Sequence, residues 1–222
     1  MPEKLRMRFS KTGRAIWLSH LDLMRTMQRA FLRAEYPLKY SEGFNPHAQI
    51  SILLPLSVGI SSVCELMDFQ LKDDVDLLEI PEKLTAVMPE GIVVHEAYPS
   101  ETKAKHLKWL EISGRLEYDD RDLSTMLDGI SAFYRRPEII ITRKTKRGEG
   151  ETDIVSAIRE LTIALNKESR SITMEALISA QEPTLNPDHL IAALRQLAPE
   201  LAPDFAAFTR RQVYFENGEV FR

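Results

Sequence analysis

Cysteine is almost absent from this chain, because Cys64 is the only one among its 222 residues. A lone cysteine excludes an internal disulfide, a zinc site built from cysteines alone and an iron–sulfur cluster held by several cysteines of this chain. No apolar run approaches the roughly 18 residues that a membrane span needs, and the first residues lack the apolar core of a signal peptide. We therefore expect a cytoplasmic protein that does not enter a membrane.

Extremes of composition are also absent, since 44% of the residues are hydrophobic and 28% are charged. These values are typical of a globular protein, and the length allows one large domain or two small ones. The net charge of −4 is unevenly distributed: residues 1–50 hold nine Lys/Arg against four Asp/Glu, whereas residues 51–102 hold two against ten. Because surface fields are local over about 8–10 Å, an anionic partner is allowed despite the negative total.

The first hundred residues follow the order strand, helix, strand, strand, helix, strand. The alternation of apolar and basic residues predicts a strand over residues 5–9, and Ser19 is a suitable N-cap for a helix beginning at about His20. Periodicity then predicts strands at 48–54 and 63–71, which should pair as a hairpin, a helix at 77–88 and a strand at 91–94. This order is typical of a ferredoxin-like sheet with both helices on one face.

A polar linker at 99–105 precedes a second half that repeats the first in outline. Strand patterns occur near 109–112, 138–144, 154–165, 170–180 and 211–215, and helical spacing occurs at 123–134 and after Asn186. We therefore predict an α+β protein of two tandem ferredoxin-like (βαββαβ) modules. The N-terminal module covers residues 1–100, and the C-terminal module, with a basic hairpin at 143–150, covers residues 101–222.

The predicted helix after Ser19 carries arginines on the side opposite its Met and Phe residues. Arg25, Arg29 and Arg33 fall within one stripe of the helix, and Lys11 and Arg14 precede it. Guanidinium groups contact phosphates in bidentate fashion, so this stripe is a candidate phosphate-binding surface. The alternative is a solvated helix face on which Asp22 and Glu35 balance the arginines.

Two histidines, His20 and His47, flank the arginine helix and the loop that follows it. Because an imidazole can both donate and accept a proton, each is a candidate acid or base. The alternative is that each is structural, with His20 hydrogen-bonded at the helix start. A metal site from both histidines and Asp22 has suitable ligand types but no diagnostic spacing, so no metal site is predicted.

The loop from Tyr40 to His47 is rich in groups that shape turns or contact ligands. Gly43 and Pro46 favour a turn, and Phe44 between them is a candidate to stack on a base or to fill a partner's pocket. The alternative for Phe44 is a loop anchor packed on the module. The candidate substrate-binding residues are Lys11, Arg14, Arg25, Arg29, Tyr40, Ser41, Phe44 and Asn45.

Three blocks of sequence carry a family resemblance: Phe9-Ser10-Lys11-Thr12-Gly13-Arg14, Leu18-Ser19-His20-Leu21-Asp22-Leu23-Met24-Arg25 and Tyr40-Ser41-Glu42-Gly43-Phe44-Asn45-Pro46-His47. With them the chain resembles the bacterial radical-SAM-linked protein family, a domain of unknown function encoded beside or fused to a radical-SAM protein. The resemblance implies a working partnership with such an enzyme. It also implies that the partner carries the iron–sulfur cluster and S-adenosylmethionine, and that this chain binds no cofactor.

These features favour an accessory protein of a radical-SAM enzyme that binds RNA or another phosphate-bearing substrate through the basic helix and loop. One alternative is an enzyme in its own right, a hydrolase or nuclease that uses His20 or His47 as acid or base. Another is a protein–protein docking subunit whose acidic stretch, residues 65–101, contacts the partner. The binding hypothesis is tested by charge removal at Arg25 and Arg29, the enzyme hypothesis by replacing His20 or His47, and the docking hypothesis by removing RNA from the complex.

Overall fold

A computed structural model describes residues 4–145 and 148–222. The protein is a mixed α+β structure with four α-helices and antiparallel strands in the part of the chain that is described. It divides into two compact units, one holding the described residues up to His106 together with Arg222, and the other holding Leu107–Phe221. No described helix combines the length and the apolar character that a membrane crossing requires.

The first unit contains four strands and two α-helices. In chain order they are β1 (Leu5–Lys11), α1 (His20–Arg33), β2 (Ile50–Ile52), β3 (Ser61–Phe69), α2 (Ile80–Val87) and β4 (Ile92–Pro99). The strands lie in the order β4-β1-β3-β2, and every neighbouring pair is antiparallel. The predicted order of six elements is confirmed here, and so is the hairpin, in which Ile50 pairs with Phe69.

Element lengths in this unit differ from the prediction. β2 has only three residues, because the chain before it pairs through the single bridge between Tyr40 and Ala48 instead of forming a longer strand. β4 extends to Pro99, well beyond the apolar residues that predicted it, since backbone pairing with β1 continues through polar positions. Local apolar patterns therefore located the strands but not their ends.

Both helices of the first unit cover one face of its sheet. The core joins alternate residues of β1 and β3 to the inner sides of both helices: Leu5, Met7, Phe9, Met67, Phe69, Met27, Phe31, Ile80 and Leu84. The rings of Phe31 and Phe69 lie 5.0 Å apart, which ties α1 directly to β3. Since successive side chains of a strand point to opposite faces, the residues between these core positions face away from the helices.

The helix-free face of this sheet carries a charged network. Arg6 is fully buried, and its guanidinium donates to both carboxylate oxygens of Asp68 at 2.6 and 3.3 Å and to Thr102 Oγ1 at 2.7 Å. Arg8 Nε donates to Glu96 Oε1 at 2.6 Å. Burial pulls the pKa of Glu96 upward, but the arginines beside it hold that pKa below its ordinary value.

The second unit contains six strands and two α-helices: β5 (Trp109–Glu117), α3 (Leu123–Tyr134), β6 (Ile140–Thr145), β7 (Gly148–Asp153), β8 (Ile158–Asn166), β9 (Ser171–Ser179), α4 (Pro187–Leu197) and β10 (Phe205–Tyr214). Four of the strands form an antiparallel sheet in the order β10-β5-β9-β8, while among the described residues β6 and β7 pair only with each other. The strand expected within residues 154–165 begins at Ile158, because Val155–Ala157 forms a 3-10 turn. Residues 146 and 147 of the predicted basic hairpin lie outside the described residues.

Candidate binding surface

The start of α1 is held by the predicted N-cap. Ser19 Oγ accepts a hydrogen bond from the backbone N–H of Asp22 at 3.2 Å and donates to the Asp22 carboxylate at 2.7 Å. The helix buries Leu23, Met27 and Phe31 against the sheet. Because these positions recur every three or four residues, the opposite side of α1 faces solvent.

Two arginines on that solvent side are available to a ligand. Arg25 has a side chain 68% exposed and reaches Asp22 Oδ1 only at 3.4 Å, a long contact that contributes little at such exposure. Arg29, one turn further on, is exposed and makes no hydrogen bond or ion pair to any described residue. Arg33 differs, because its Nη2 donates to the carbonyl of Val87 at 2.6 Å and so ties α1 to the end of α2.

The prediction that Lys11 belongs to an exposed basic surface is wrong. Its side chain is buried, and Nζ donates to the carbonyl of Ile16 at 3.0 Å. β1 continues to Lys11 and pairs it with the core residue Ile92, which turns the lysine toward the helix-covered face. Lys11 therefore stabilises the 3-10 turn Gly13–Trp17, while Arg14 within that turn stays exposed.

The two candidate histidines lie at opposite ends of the first unit. His20 follows the Lys11 end of β1, whereas the His47 loop adjoins Ile50, which pairs with Phe69, the partner of Leu5 at the other end of β1. α1 runs between these ends, and its 14 residues span about 21 Å at a rise of 1.5 Å per residue. One substrate atom cannot be reached by both imidazoles, so Arg14 and His20 are separate from the loop.

The loop that follows Tyr40 has a closed neck and an exposed tip. The Ser41 N–H donates to the carbonyl of His47 at 2.9 Å, the His47 N–H donates to Ser41 Oγ at 3.1 Å, and Ser41 Oγ lies 2.8 Å from His47 Nδ1. Phe44 at the tip is fully exposed at 105%, so the alternative that it anchors the loop is wrong. Asn45 is exposed beside it, and Tyr40 is about half exposed at 49%.

A cavity that the sequence did not predict lies beside the loop neck, on the helix-free face of the first sheet. Its volume is about 220 Å³, and its walls come from Lys4, His47–Ser51 and Asp68–Gln70. Lys4 Nζ lies 2.7 Å from the Asp68 carboxylate. Because Ile52 belongs to the core, the alternation of side chains along the strand indicated that Gln49 and Ser51 face the opposite side. The sequence did not show which strand pairs with them.

The second unit has an open cavity of a different character. Its volume is about 440 Å³, and three carboxylates, those of Glu111, Glu160 and Glu175, line it together with Arg159 and Tyr214. The Tyr214 hydroxyl donates to Glu111, and the Ser113 hydroxyl donates to Glu175 at 2.7 Å. Excess negative charge makes this face unsuited to phosphate. Among the described residues, no group of three or more His, Cys, Asp or Glu side chains could hold a metal ion.

The predicted basic hairpin is held against α4 of the second unit. Gln196 pairs with the backbone of Thr142 in both directions, at 2.8 Å to its N–H and 3.0 Å to its carbonyl. Arg143 Nη1 donates to the carbonyl of Thr184 at 3.1 Å. The described part of the hairpin therefore uses its arginine for internal structure.

The chain matches one protein family and is distantly similar to several solved structures, among them the two that follow. The family described as "Uncharacterized protein conserved in bacteria (DUF2344)" matches residues 4–187. An unknown protein from Galdieria sulphuraria is 9% identical over 95% of this chain and 99% of its own, with a TM-score of 0.27. The acetolactate synthase small subunit from Thermotoga maritima is 12% identical over 96% of each chain, with a TM-score of 0.26. No curated protein matches the chain in sequence.

Proposed function

We propose that this chain, which belongs to the bacterial family DUF2344, is an accessory protein of a radical-SAM enzyme that binds RNA or another phosphate-bearing substrate. The observation that carries the binding role is the pair Arg25 and Arg29, four residues apart on the solvent side of α1. Neither guanidinium is committed to a close internal partner. Both can therefore exchange water and counterions for phosphate oxygens.

The loop contributes groups of a different kind to this role. Phe44 and Asn45 are exposed at its tip and Tyr40 at its base, so aromatic and amide groups accompany the arginines in the same unit. Nucleic-acid partners are bound by cations that contact phosphates and by aromatic rings that stack on bases. A ligand with both phosphates and rings fits this combination better than inorganic phosphate alone.

The radical-SAM partnership rests on the resemblance of the three sequence blocks. The first runs from β1 into the turn before α1, the second holds the N-cap and first residues of α1, and the third is the loop. The only cysteine, Cys64, is buried in β3. We propose that the cluster and S-adenosylmethionine belong to the partner, while this chain holds the substrate.

We also propose that each unit is a ferredoxin-like module. The strand orders support it, because β4-β1-β3-β2 and β10-β5-β9-β8 follow the same pattern when the β6–β7 hairpin is treated as an insertion. In both units, helices occur between the first and second and between the third and fourth strands of the sheet. Ligands can bind on the helix-free face of such sheets, and in the first unit the part of that face beside the loop neck holds a cavity.

The test of RNA binding is charge removal at the two arginines. We expect the Arg25→Gln/Arg29→Gln variant to weaken RNA binding and to lower the slope of log K against log salt by about 1.4, at roughly 0.7 for each phosphate contact on a single strand. The matched control is Arg135→Gln/Arg195→Gln, which removes the same charge from exposed positions of the second unit. Fluorescence anisotropy across a salt series measures both quantities, and equal slopes for the two variants would refute the proposal.

A further inference from the structure

Three polar side chains in the wall of the cavity beside the loop neck make no hydrogen bond within the described part of the chain. Gln49 and Gln70 are cross-strand neighbours, joined through the backbone where the Gln70 N–H donates to the Gln49 carbonyl at 3.1 Å. Their side-chain carboxamides, and the hydroxyl of Ser51 beside them, make no hydrogen bond to the described residues. Donors and acceptors therefore line the cavity on adjacent strands, at the spacing of a β-ladder.

The charges around the cavity favour an electron-rich ligand. Lys4 is half exposed at its mouth, and the one carboxylate in the wall, that of Asp68, is already engaged by Lys4 and Arg6. His47 lines the cavity and also forms the loop neck. A phosphate next to the cavity would meet the lysine and the imidazole rather than an unpaired carboxylate.

The size of the cavity limits what it can hold. At about 220 Å³ it is smaller than the roughly 300–1,000 Å³ pockets that enclose drug-sized ligands. A single planar heterocycle suits this space, and its polar edge would face the two carboxamides. The loop tip adds a fully exposed ring, Phe44, on the chain that leads into the cavity wall.

We propose that this cavity binds one unpaired nucleobase of a single-stranded RNA, with Gln49 and Gln70 hydrogen-bonded to its edge and Phe44 stacked on a neighbouring base. The inference rests on the proposed RNA binding and adds that the bound RNA is single-stranded. A base in a duplex has its pairing edge occupied, whereas unpaired bases expose that edge and both ring faces. The structure therefore assigns base selection to the sheet face and phosphate binding to α1, two surfaces that mutation can separate.

The test compares affinities for short homopolymers of A, C, G and U and for a duplex of the same length. Wild-type protein is expected to bind one homopolymer about tenfold more tightly than the weakest, because one or two hydrogen bonds are worth that ratio. The Gln49→Ala/Gln70→Ala variant should bind all four alike, with the salt dependence of binding unchanged. Phe44→Ala should weaken binding to every single strand about tenfold or more, as loss of a stacked base does.

Matched variants keep the outcomes apart. Gln28→Ala removes an exposed glutamine from α1 and should leave base preference intact, and circular dichroism with urea unfolding confirms that each variant is folded. No RNA binding by wild-type protein would overturn the proposed function and this inference together. Binding that ignores base identity, prefers the duplex or keeps its preference without Gln49 and Gln70 overturns this inference alone. If Phe44→Ala leaves RNA affinity unchanged but releases the radical-SAM partner, the loop is a protein contact and its assigned role is wrong.

Discussion

His189 shows how one side chain links the structure of the second unit to pH. It occupies the third position of α4, where its Nδ1 accepts the backbone N–H of Asn186 at 3.3 Å, while the Asn186 side chain accepts the N–H of Asp188 at 3.1 Å. Asn186 and His189 form a capping box, with histidine where glutamate or glutamine is usual. Burial, and then the nearby Arg143, lowers the pKa of His189 below its ordinary 6.5.

We predict that the His189→Gln variant loses less stability in acid than the wild type does. Because the folded pKa lies below the unfolded pKa, the stabilisation is complete above about pH 6.5 and is lost as the pH falls toward the folded value. Protonated histidine cannot accept the Asn186 N–H, whereas glutamine accepts it at any pH. The free energies of unfolding of the variant and the wild type, measured in urea, should be equal at pH 8. At pH 5 they should differ by about 1 kcal/mol, the usual contribution of a cap. Parallel pH profiles would contradict this role.

At the scale of elements, the turn before α1 is fixed against the start of β4. The Thr12 N–H donates to the carbonyl of Gly91 at 2.8 Å, and Gly91 has a φ of +91°. A Cβ at this glycine would lie 2.2 Å from the Thr12 carbonyl oxygen. This contact fixes where the 3-10 turn begins, and so the position from which the chain enters α1.

We predict that Gly91→Ala is far more destabilising than Gly13→Ala. Both glycines have positive φ, at +91° and +54°, but a Cβ at Gly13 would meet nothing within 4 Å. Gly13→Ala should therefore lower the free energy of unfolding by about 1–2 kcal/mol, the cost of an L residue at positive φ. Gly91→Ala should lower it by about a further 1–3 kcal/mol, because the Thr12 backbone must move away from the new Cβ. Urea unfolding of the two variants under identical conditions measures the difference. Equal losses of stability in the two variants would contradict this prediction, because they would mean that the backbone near Thr12 moves away from the new Cβ at no cost in free energy.

At the scale of the whole molecule, the proposed function requires two separate associations. RNA would contact a first unit whose first fifty residues are basic, while an acidic stretch, with Leu78 exposed at 88%, is available to a protein partner. Contacts dominated by surface charge weaken with salt, whereas apolar protein contacts do not.

We predict that the chain, purified from cells, retains its radical-SAM partner after ribonuclease treatment but loses its RNA. Without ribonuclease, the Arg25→Gln/Arg29→Gln variant should keep the partner and retain less RNA than the wild type, because only phosphate contacts are removed. Protein and RNA are quantified in both samples. Loss of the partner together with the RNA would show that RNA tethers the two proteins, and direct docking would then be refuted.

The fold was predictable where the signal was local. Alternation in β1 and β9, the Ser19 and Asn186 caps and the periodicity of α1 and α3 depend on neighbours a few residues apart, so the sequence contains them in full. Strand ends were less predictable, because pairing with a distant strand can extend a polar segment, as it does in β4. The candidate arginines on α1 follow from the same local periodicity.

What the sequence by itself determined is the order of the six elements of the first unit, the absence of a cluster site built from several cysteines and the solvent-facing arginines of α1, since each depends on composition or on spacing along the chain. Only the tertiary structure decided that Lys11 is buried, that His20 and His47 lie at opposite ends of the first unit and that Gln49 and Gln70 share a cavity. These features depend on which strands become neighbours. That choice is made by burying apolar faces across the whole unit, and no short segment contains it.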